Sequence, residues 1–365
     1  MDICFAGMER NFGFGFMRLP MIGDEVDIAQ TKKMVDRFLE SGFCYFDTAH
    51  GYLNGKSELA IRECLTSRYP RERYILTNKL SGTYFKTQEE IRPLFQMQLE
   101  ACGVSYFDFY LMHALNHARF QEFRKARAFE TALELKQEGK IKHLGISFHD
   151  SPEVLEEILL EYPQIEVVQI QFNYVDFEDE KVASRKCYEV CRKYNKPVIV
   201  MEPVKGGALV NLPEAAQKIF DRLHGGSNAS YAIRFAAGFE GIRMVLSGMS
   251  TLEQLEDNIS FMREFQPLTS QEQQAVEAVC AIFRNQELIP CTNCRYCTEV
   301  CPQEIAIPDW FTNLNAKRQG QSFSLDAIPG TAPSACLKCG KCEEICPQGL
   351  NIRQLLLVAN EELRR

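Results

Sequence analysis

No apolar run in this 365-residue chain reaches the ~18 residues that a membrane-spanning helix needs, so no membrane insertion is expected. Positive charge is also short. Lys and Arg number 41 against 49 Asp and Glu, a net charge of −8, which argues against a nucleic-acid surface. No G-x-G-x-x-G turn is present; Gly13-Phe-Gly15 lacks the third glycine and precedes no helix directly. The first residues carry no signal-peptide pattern, so a cytoplasmic setting with reduced thiols is expected, and disulfides are not. Cysteine itself is abundant, at fifteen residues.

Eight of the fifteen fall into two runs with one spacing. They are Cys291-Thr-Asn-Cys294-Arg-Tyr-Cys297-Thr-Glu-Val-Cys301-Pro302 and Cys336-Leu-Lys-Cys339-Gly-Lys-Cys342-Glu-Glu-Ile-Cys346-Pro347. Each reads C-x2-C-x2-C-x3-C-P, the run that holds [4Fe–4S] clusters in bacterial two-cluster ferredoxins. Three closely spaced cysteines wrap three corners of a cubane, and the fourth thiolate crosses from the other run. One expected cluster therefore takes Cys291, Cys294, Cys297 and Cys346; the second takes Cys336, Cys339, Cys342 and Cys301. Zinc is the alternative, but its paired Cys-x2-Cys knuckles lack a third cysteine at the same step and a trailing proline. The other seven cysteines (Cys4, Cys44, Cys64, Cys102, Cys187, Cys191, Cys280) mostly sit among apolar residues and read as small core hydrophobes.

Residues 1–265 alternate short branched or aromatic segments with helix-length amphipathic ones. The strand-like segments are near 13–18, 43–49, 74–79, 107–113, 143–147, 167–171, 197–202 and 242–247. Helices are expected over about 27–41, from Ser57, near 87–101, up to Gln137, from Ser151-Pro152, over 179–194, 213–222 and 229–237, and from Thr251. Parallel strands buried by crossover helices have this signature, and about eight βα units suit a closed (β/α)8 TIM barrel. A doubly wound open sheet is the runner-up. Residues 266–365 are expected to form a linking helix and an α+β ferredoxin-like iron–sulfur domain. Within it, 303–335 is an insertion carrying the single tryptophan, Trp310. The tail from Leu350 reads as an amphipathic helix with Ile352, Leu355, Leu356, Leu357 and Val358, expected to dock the cluster domain on the barrel.

Catalytic groups of such a barrel sit where strands end. Those ends supply Asp47, with Tyr52 five residues on, then Lys79 and His113. A phenol is a weak acid, but a nearby ammonium favours its ionised form and is expected to lower its pKa. A carboxylate holds the ammonium charged and aimed, and an imidazole orients a carbonyl oxygen. Such a set can protonate a carbonyl oxygen as hydride reaches carbon. An Asp or Lys at a buried strand end is equally compatible with an ordinary structural ion pair.

Residues 1–265 resemble the aldo-keto reductase family. The motifs that carry the resemblance are Gly15-Phe-Met-Arg18-Leu-Pro20, Phe46-Asp47-Thr-Ala-His-Gly51-Tyr52, Gly55-Lys-Ser57-Glu58, Thr77-Asn-Lys79, Leu111-Met-His113 and Leu144-Gly-Ile-Ser147. The resemblance implies a catalytic tetrad of Asp47, Tyr52, Lys79 and His113, with Tyr52 as general acid. It also implies an extended NADP or NAD across the barrel mouth, with Ser147 and Gln169 at the nicotinamide carboxamide. Three positions depart from the family pattern. Phe148 stands where Asn usually follows the serine, and Met201 replaces the aromatic that stacks on nicotinamide. Gly248 and Gln254 stand where basic residues usually grip the 2′-phosphate, while Asn258 keeps its family type. Backbone amides at Ser247 and Gly248 are left to approach a phosphate. The expected activity is reduction of a small carbonyl compound or oxidation of an alcohol, with the clusters serving electron transfer or docking. The alternative is single-electron delivery to a substrate at the barrel mouth without nicotinamide. A redox partner protein is a further expected partner.

Overall fold

A computed structural model describes residues 3–363, apart from Ala6, Glu9 and Ala327. Eight strands close a parallel barrel in chain order: β1 (Phe12–Gly15), β2 (Tyr45–Asp47), β3 (Ile75–Leu80), β4 (Phe107–Leu115), β5 (Ile141–Phe148), β6 (Val167–Gln171), β7 (Val198–Met201) and β8 (Ile242–Gly248). β8 pairs back to β1, with Gly15 beside Gly248, and β1 pairs β2, with Gly15 beside Asp47.

Alternation along each strand decides what the barrel mouth displays, because side chains two apart share a face. Tyr45, Phe109, Leu111, Val167, Ile199, Met244 and Leu246 fill the interior, and Phe5 packs among them with its ring 5.1 Å from that of Phe109. Space there is tight: a Cβ on Gly145 would lie 2.6 Å from Leu111 and 2.5 Å from Val167. Two residues further along, the same inward face presents Asp47, His113, Ser147, Gln169 and Met201. The opposite faces pack under the helices in a larger core that includes Phe14, Phe46, Leu76, Tyr110, Ile146 and Val200.

Most helices begin where the sequence signals them. Asp27 caps the helix Ile28–Glu40, and Ser151 caps Pro152–Glu161 with proline at its start. One helix starts later than its periodicity suggests, spanning only Ser184–Lys193. Asp179 Oδ1 accepts from the amides of Lys181 and Val182, a local turn that competes with helix there.

The helix Ser270–Arg284 lies against the helix Glu214–Phe220, and Arg234 forks onto Glu272 at 2.8 and 3.0 Å. The cluster region has its own core of Ile305, Ile307, Trp310, Phe311, Leu314, Ile352, Leu356 and Ala359. The insertion supplies part of it as the helix Ile307–Arg318. The tail helix, Ile352–Glu362, packs on that insertion helix and leaves Leu357 44% exposed. Its apolar face closes the cluster region instead of docking it to the barrel, because Trp310, Phe311 and Leu314 are the nearest apolar partners. Among the described residues, no helix is long and apolar enough to cross a membrane.

Candidate active site

Lys79 is fully buried, and its Nζ donates to Asp47 Oδ1 at 2.6 Å and to the Thr48 carbonyl at 2.9 Å. Burial raises Asp47 and lowers Lys79, and the ion pair between them opposes both shifts. The same ammonium lies 4.7 Å from the centre of the Tyr52 ring. The Tyr52 ring meets His113 edge-on at 5.8 Å. Burial pushes the Tyr52 phenol well above its usual range, reinforced by Tyr296 and Asp47. The phenol is therefore shifted opposite to the lowering expected of Lys79, because burial dominates. Burial, Lys79 and Arg119 hold His113 well below the usual imidazole range, so its ring is neutral. Ser81 Oγ lies 2.6 Å from His113 Nδ1; when that hydroxyl donates, Nε2 carries the ring proton.

The scaffold under these groups is a buried polar network built from the neighbouring motif residues. Glu58 accepts from Asn78 at 2.8 Å and from Gln98 at 3.2 Å, and Gln98 donates to the Lys79 carbonyl at 2.9 Å. Ser57 Oγ donates to the Phe16 carbonyl at 3.0 Å, tying the Tyr52 loop to β1.

A cavity of about 440 Å³ opens over Asp47, Tyr52 and His113 and extends past Ser147, Gln169 and Met201 to Ser247, Gly248, Gln254 and Asn258. All the residues expected at a nicotinamide therefore share one cavity with the tetrad mouth. Gln169 Nε2 donates to Met201 Sδ at 3.4 Å, leaving its buried Oε1 without a partner. Asn258 is turned inward to Ser247 Oγ at 3.0 Å, and Gln254 accepts from the Ser250 amide at 2.8 Å. Both side chains hold their loop. Phe148 lies in the core, away from the mouth. Among the described residues, Arg18 is the one Arg or Lys lining the cavity, which the acids Asp47, Glu202 and Asp257 also line. Its side chain covers Gly248 and lies 3.7 Å from Glu202.

The cluster region roofs this cavity with Thr292, Cys294, Tyr296, Pro347 and Gln348. Gln348 and Gln171 exchange amide hydrogen bonds at 2.8 and 3.2 Å, and Arg18 Nη2 donates to the Thr292 carbonyl at 2.7 Å. Tyr296 is one of the groups that raise the Tyr52 phenol, and its oxygen stands 3.4 Å from His113 Nε2. Two smaller hollows lie beyond. One gathers Cys291, Cys294, Cys297 and Cys346 with Ile307 and Phe311; the other gathers Cys301, Cys336, Cys339 and Cys342 with Ile305 and Leu356. Four thiols around an apolar hollow are the donor set that a [4Fe–4S] cubane requires, and each set draws one cysteine from the other run.

The aldo/keto reductase family model matches residues 11–281, nearly the whole barrel and its flanking helix. The chain belongs to that family. A 4Fe-4S dicluster domain follows at residues 290–350, so the reductase barrel carries an iron–sulfur domain. No curated protein matches the chain. Among solved structures, an aldo-keto reductase from Klebsiella pneumoniae in complex with NADPH is similar at 17% identity and a TM-score of 0.60, covering 74% of this chain and 90% of that one. A holo-form aldo-keto reductase from Bacillus halodurans is similar at 23% identity and a TM-score of 0.60, covering 74% of this chain and 91% of that one. These likenesses show the fold.

Three members of this reductase site escape a sequence reading. Ser81 lies two residues beyond Lys79 on the inward face, and strand alternation alone points to it. Tyr296 and Gln348 carry no such signal, since the spacing of the cysteines says nothing of which spacer residue faces the barrel.

Proposed function

We propose that this reductase interconverts a small carbonyl compound and its alcohol at the barrel mouth, with Tyr52 as proton donor. The observation that carries the reading is convergence: Tyr52, raised so that it keeps its proton, and His113 meet ring to ring at 5.8 Å in one cavity, with Lys79 of the Asp47–Lys79 pair 4.7 Å from the Tyr52 ring. Tyr52 donates to the oxygen as it gains charge, and His113 fixes that oxygen's position. Lys79 sits over the ring and stabilises the phenolate that remains, while Asp47 keeps Lys79 charged and aimed. Ser147 and Gln169 orient a nicotinamide carboxamide, for which the unpartnered Gln169 Oε1 is a ready acceptor. Met201 would lie beside the ring of such a cofactor, while Ser247, Gly248, Gln254 and Asn258 would hold its phosphate end. A nicotinamide nucleotide bound there supplies two electrons as hydride.

A second reading is favoured by the position of Cys294, which lines the same cavity as Tyr52. Cys291, Cys294, Cys297 and Cys346 hold one cluster at the mouth, and Cys336, Cys339, Cys342 and Cys301 hold the other toward the surface, where Cys339 is exposed. Clusters so held supply electrons one at a time, and a redox partner protein would meet the exposed one. Reduced thiols of this kind suit the cytoplasm. Mixing anaerobic holoprotein with NADH or NADPH and a panel of small aldehydes separates the readings. Substrate-dependent loss of nicotinamide fluorescence with unchanged cluster absorbance supports hydride transfer. Turnover that requires chemically reduced clusters and ignores nicotinamide supports the second reading.

A further inference from the structure

Tyr296 belongs to the spacer between Cys294 and Cys297, yet its phenol lies inside the reductase mouth. Its oxygen stands 3.4 Å from His113 Nε2, with those two rings edge-on at 6.1 Å, and the His113 ring in turn meets Tyr52 at 5.8 Å in the same cavity. A substrate oxygen protonated by Tyr52 and oriented by His113 has to lie within hydrogen-bond reach of both groups. The Tyr296 oxygen already stands at His113 Nε2 inside that cavity, where it competes with a substrate oxygen for the same donor.

The backbone that carries this phenol is fastened on several sides. Arg295 forks onto Asp309 at 2.9 and 3.1 Å, and the Thr292 carbonyl takes the Arg18 guanidinium at 2.7 Å. Thr292 also lies so close over Gly206 that an added Cβ would come within 2.4 Å of its carbonyl oxygen. The loop is thus held in place while the Tyr296 side chain itself lines the cavity.

We infer that Tyr296 is a built-in occupant of the substrate-oxygen site, and that a substrate binds by turning its phenol out. The inference rests on the reading that Tyr52 and His113 receive the substrate oxygen. Tyr296 thereby sets which compounds enter. A ligand has to displace the Tyr296 oxygen from His113 and engage Tyr52, which a carboxylate or strongly polarised carbonyl does better than a weak acceptor. Because Tyr296 is covalently continuous with Cys294 and Cys297, its turning alters the surroundings of the thiols that line the first hollow.

The test uses anaerobic holoprotein with acetate as the probe, whose carboxylate accepts from both Tyr52 and His113. Calorimetric titration compares wild type, Tyr296→Phe, Tyr52→Phe and the double variant, with iron content measured on each. Tyr296→Phe removes only the competing oxygen and is expected to bind acetate at least about fivefold more tightly. Tyr52→Phe is expected to weaken acetate binding in both backgrounds. Acetate is further expected to shift the electron paramagnetic resonance spectrum of dithionite-reduced wild type more than that of Tyr296→Phe. Equal or weaker acetate binding by iron-replete Tyr296→Phe overturns the inference alone. Acetate binding untouched by Tyr52→Phe overturns it together with the oxygen-site reading beneath it. Should Tyr296→Phe lose iron, Tyr296→Leu is held to the same fivefold criterion.

Discussion

Tyr52 keeps its proton because burial, its largest influence, disfavours the phenolate, while the nearby Lys79 is committed to Asp47 and Thr48. In the proposed reaction, Tyr52→Phe deletes one hydroxyl and almost no volume. Turnover is expected to fall about 10²–10⁴-fold, the usual worth of a positioned acid, with iron content unchanged. An anaerobic steady-state assay on any carbonyl compound the wild type accepts checks this, and undiminished turnover would exclude Tyr52 as donor. The pH dependence follows from the directions of two shifts. Tyr52 lies above its ordinary 10.0 and so stays protonated below about pH 10; His113 lies well below 6.5 and so stays neutral above about pH 6.5. Between those limits neither group changes charge, and kcat is expected to be flat. A tyrosine limb near pH 8 in the kcat profile would contradict the burial argument. The identities of Asp47, Tyr52, Lys79 and His113 were legible from strand ends and spacing. The direction of the phenol's shift was not, since it depends on where the ammonium points.

The loops that frame the cavity behave as elements with assigned tasks. After β8, Gln254 and Asn258 spend their side chains on Ser250 and Ser247. Gly248 offers no cation, and Arg18 is drawn to Thr292 and Glu202. A 2′-phosphate thus meets no free guanidinium or ammonium among the lining residues, and phosphate recognition normally needs one. The ratio of NADPH to NADH dissociation constants is expected to lie within about tenfold, or ~1.4 kcal/mol. Fluorescence titration with both nucleotides measures it, and a preference above about 100-fold would mean that Arg18 leaves Glu202 to bind the phosphate. At the seam, Gly206 has a positive φ of 63° and no room for a Cβ beneath Thr292. Gly206→Ala combines backbone strain with overpacking, at a cost of about 1–3 kcal/mol. Its midpoint for loss of cluster absorbance in urea is expected to fall; an unchanged midpoint would show that the seam does not brace the iron–sulfur domain. Strand and helix positions were legible because period-two and helical patterns are local. The late start at Ser184 was not, since the Asp179 turn outcompetes periodicity only once its hydrogen bonds are counted.

At the scale of the whole molecule, the reductase barrel and the iron–sulfur domain meet over one cavity, and each thiol set borrows a cysteine from the other run. Full reconstitution is expected to give about eight iron and eight sulfide per chain. Cys346→Ser, although a change in the second run, is expected to disturb the cluster nearest the barrel mouth and to leave about four iron per chain. Iron analysis with electron paramagnetic resonance of the reduced protein checks both numbers. Retention of all eight, with an unaltered spectrum, would mean that the fourth ligands do not cross.

By itself the sequence determined the barrel class, the cluster type and which side chains stand at the barrel mouth, because strand alternation, cysteine spacing and strand-end chemistry are written over short stretches of chain. Only the tertiary structure decided that the tail helix closes the iron–sulfur core and that Gln348 locks onto Gln171. It alone turned Tyr296 toward Tyr52 and His113. The last two pairings join Gln348 to Gln171 over 177 positions and Tyr296 to His113 over 183, and which faces meet over such separations is settled by the packing of the whole chain.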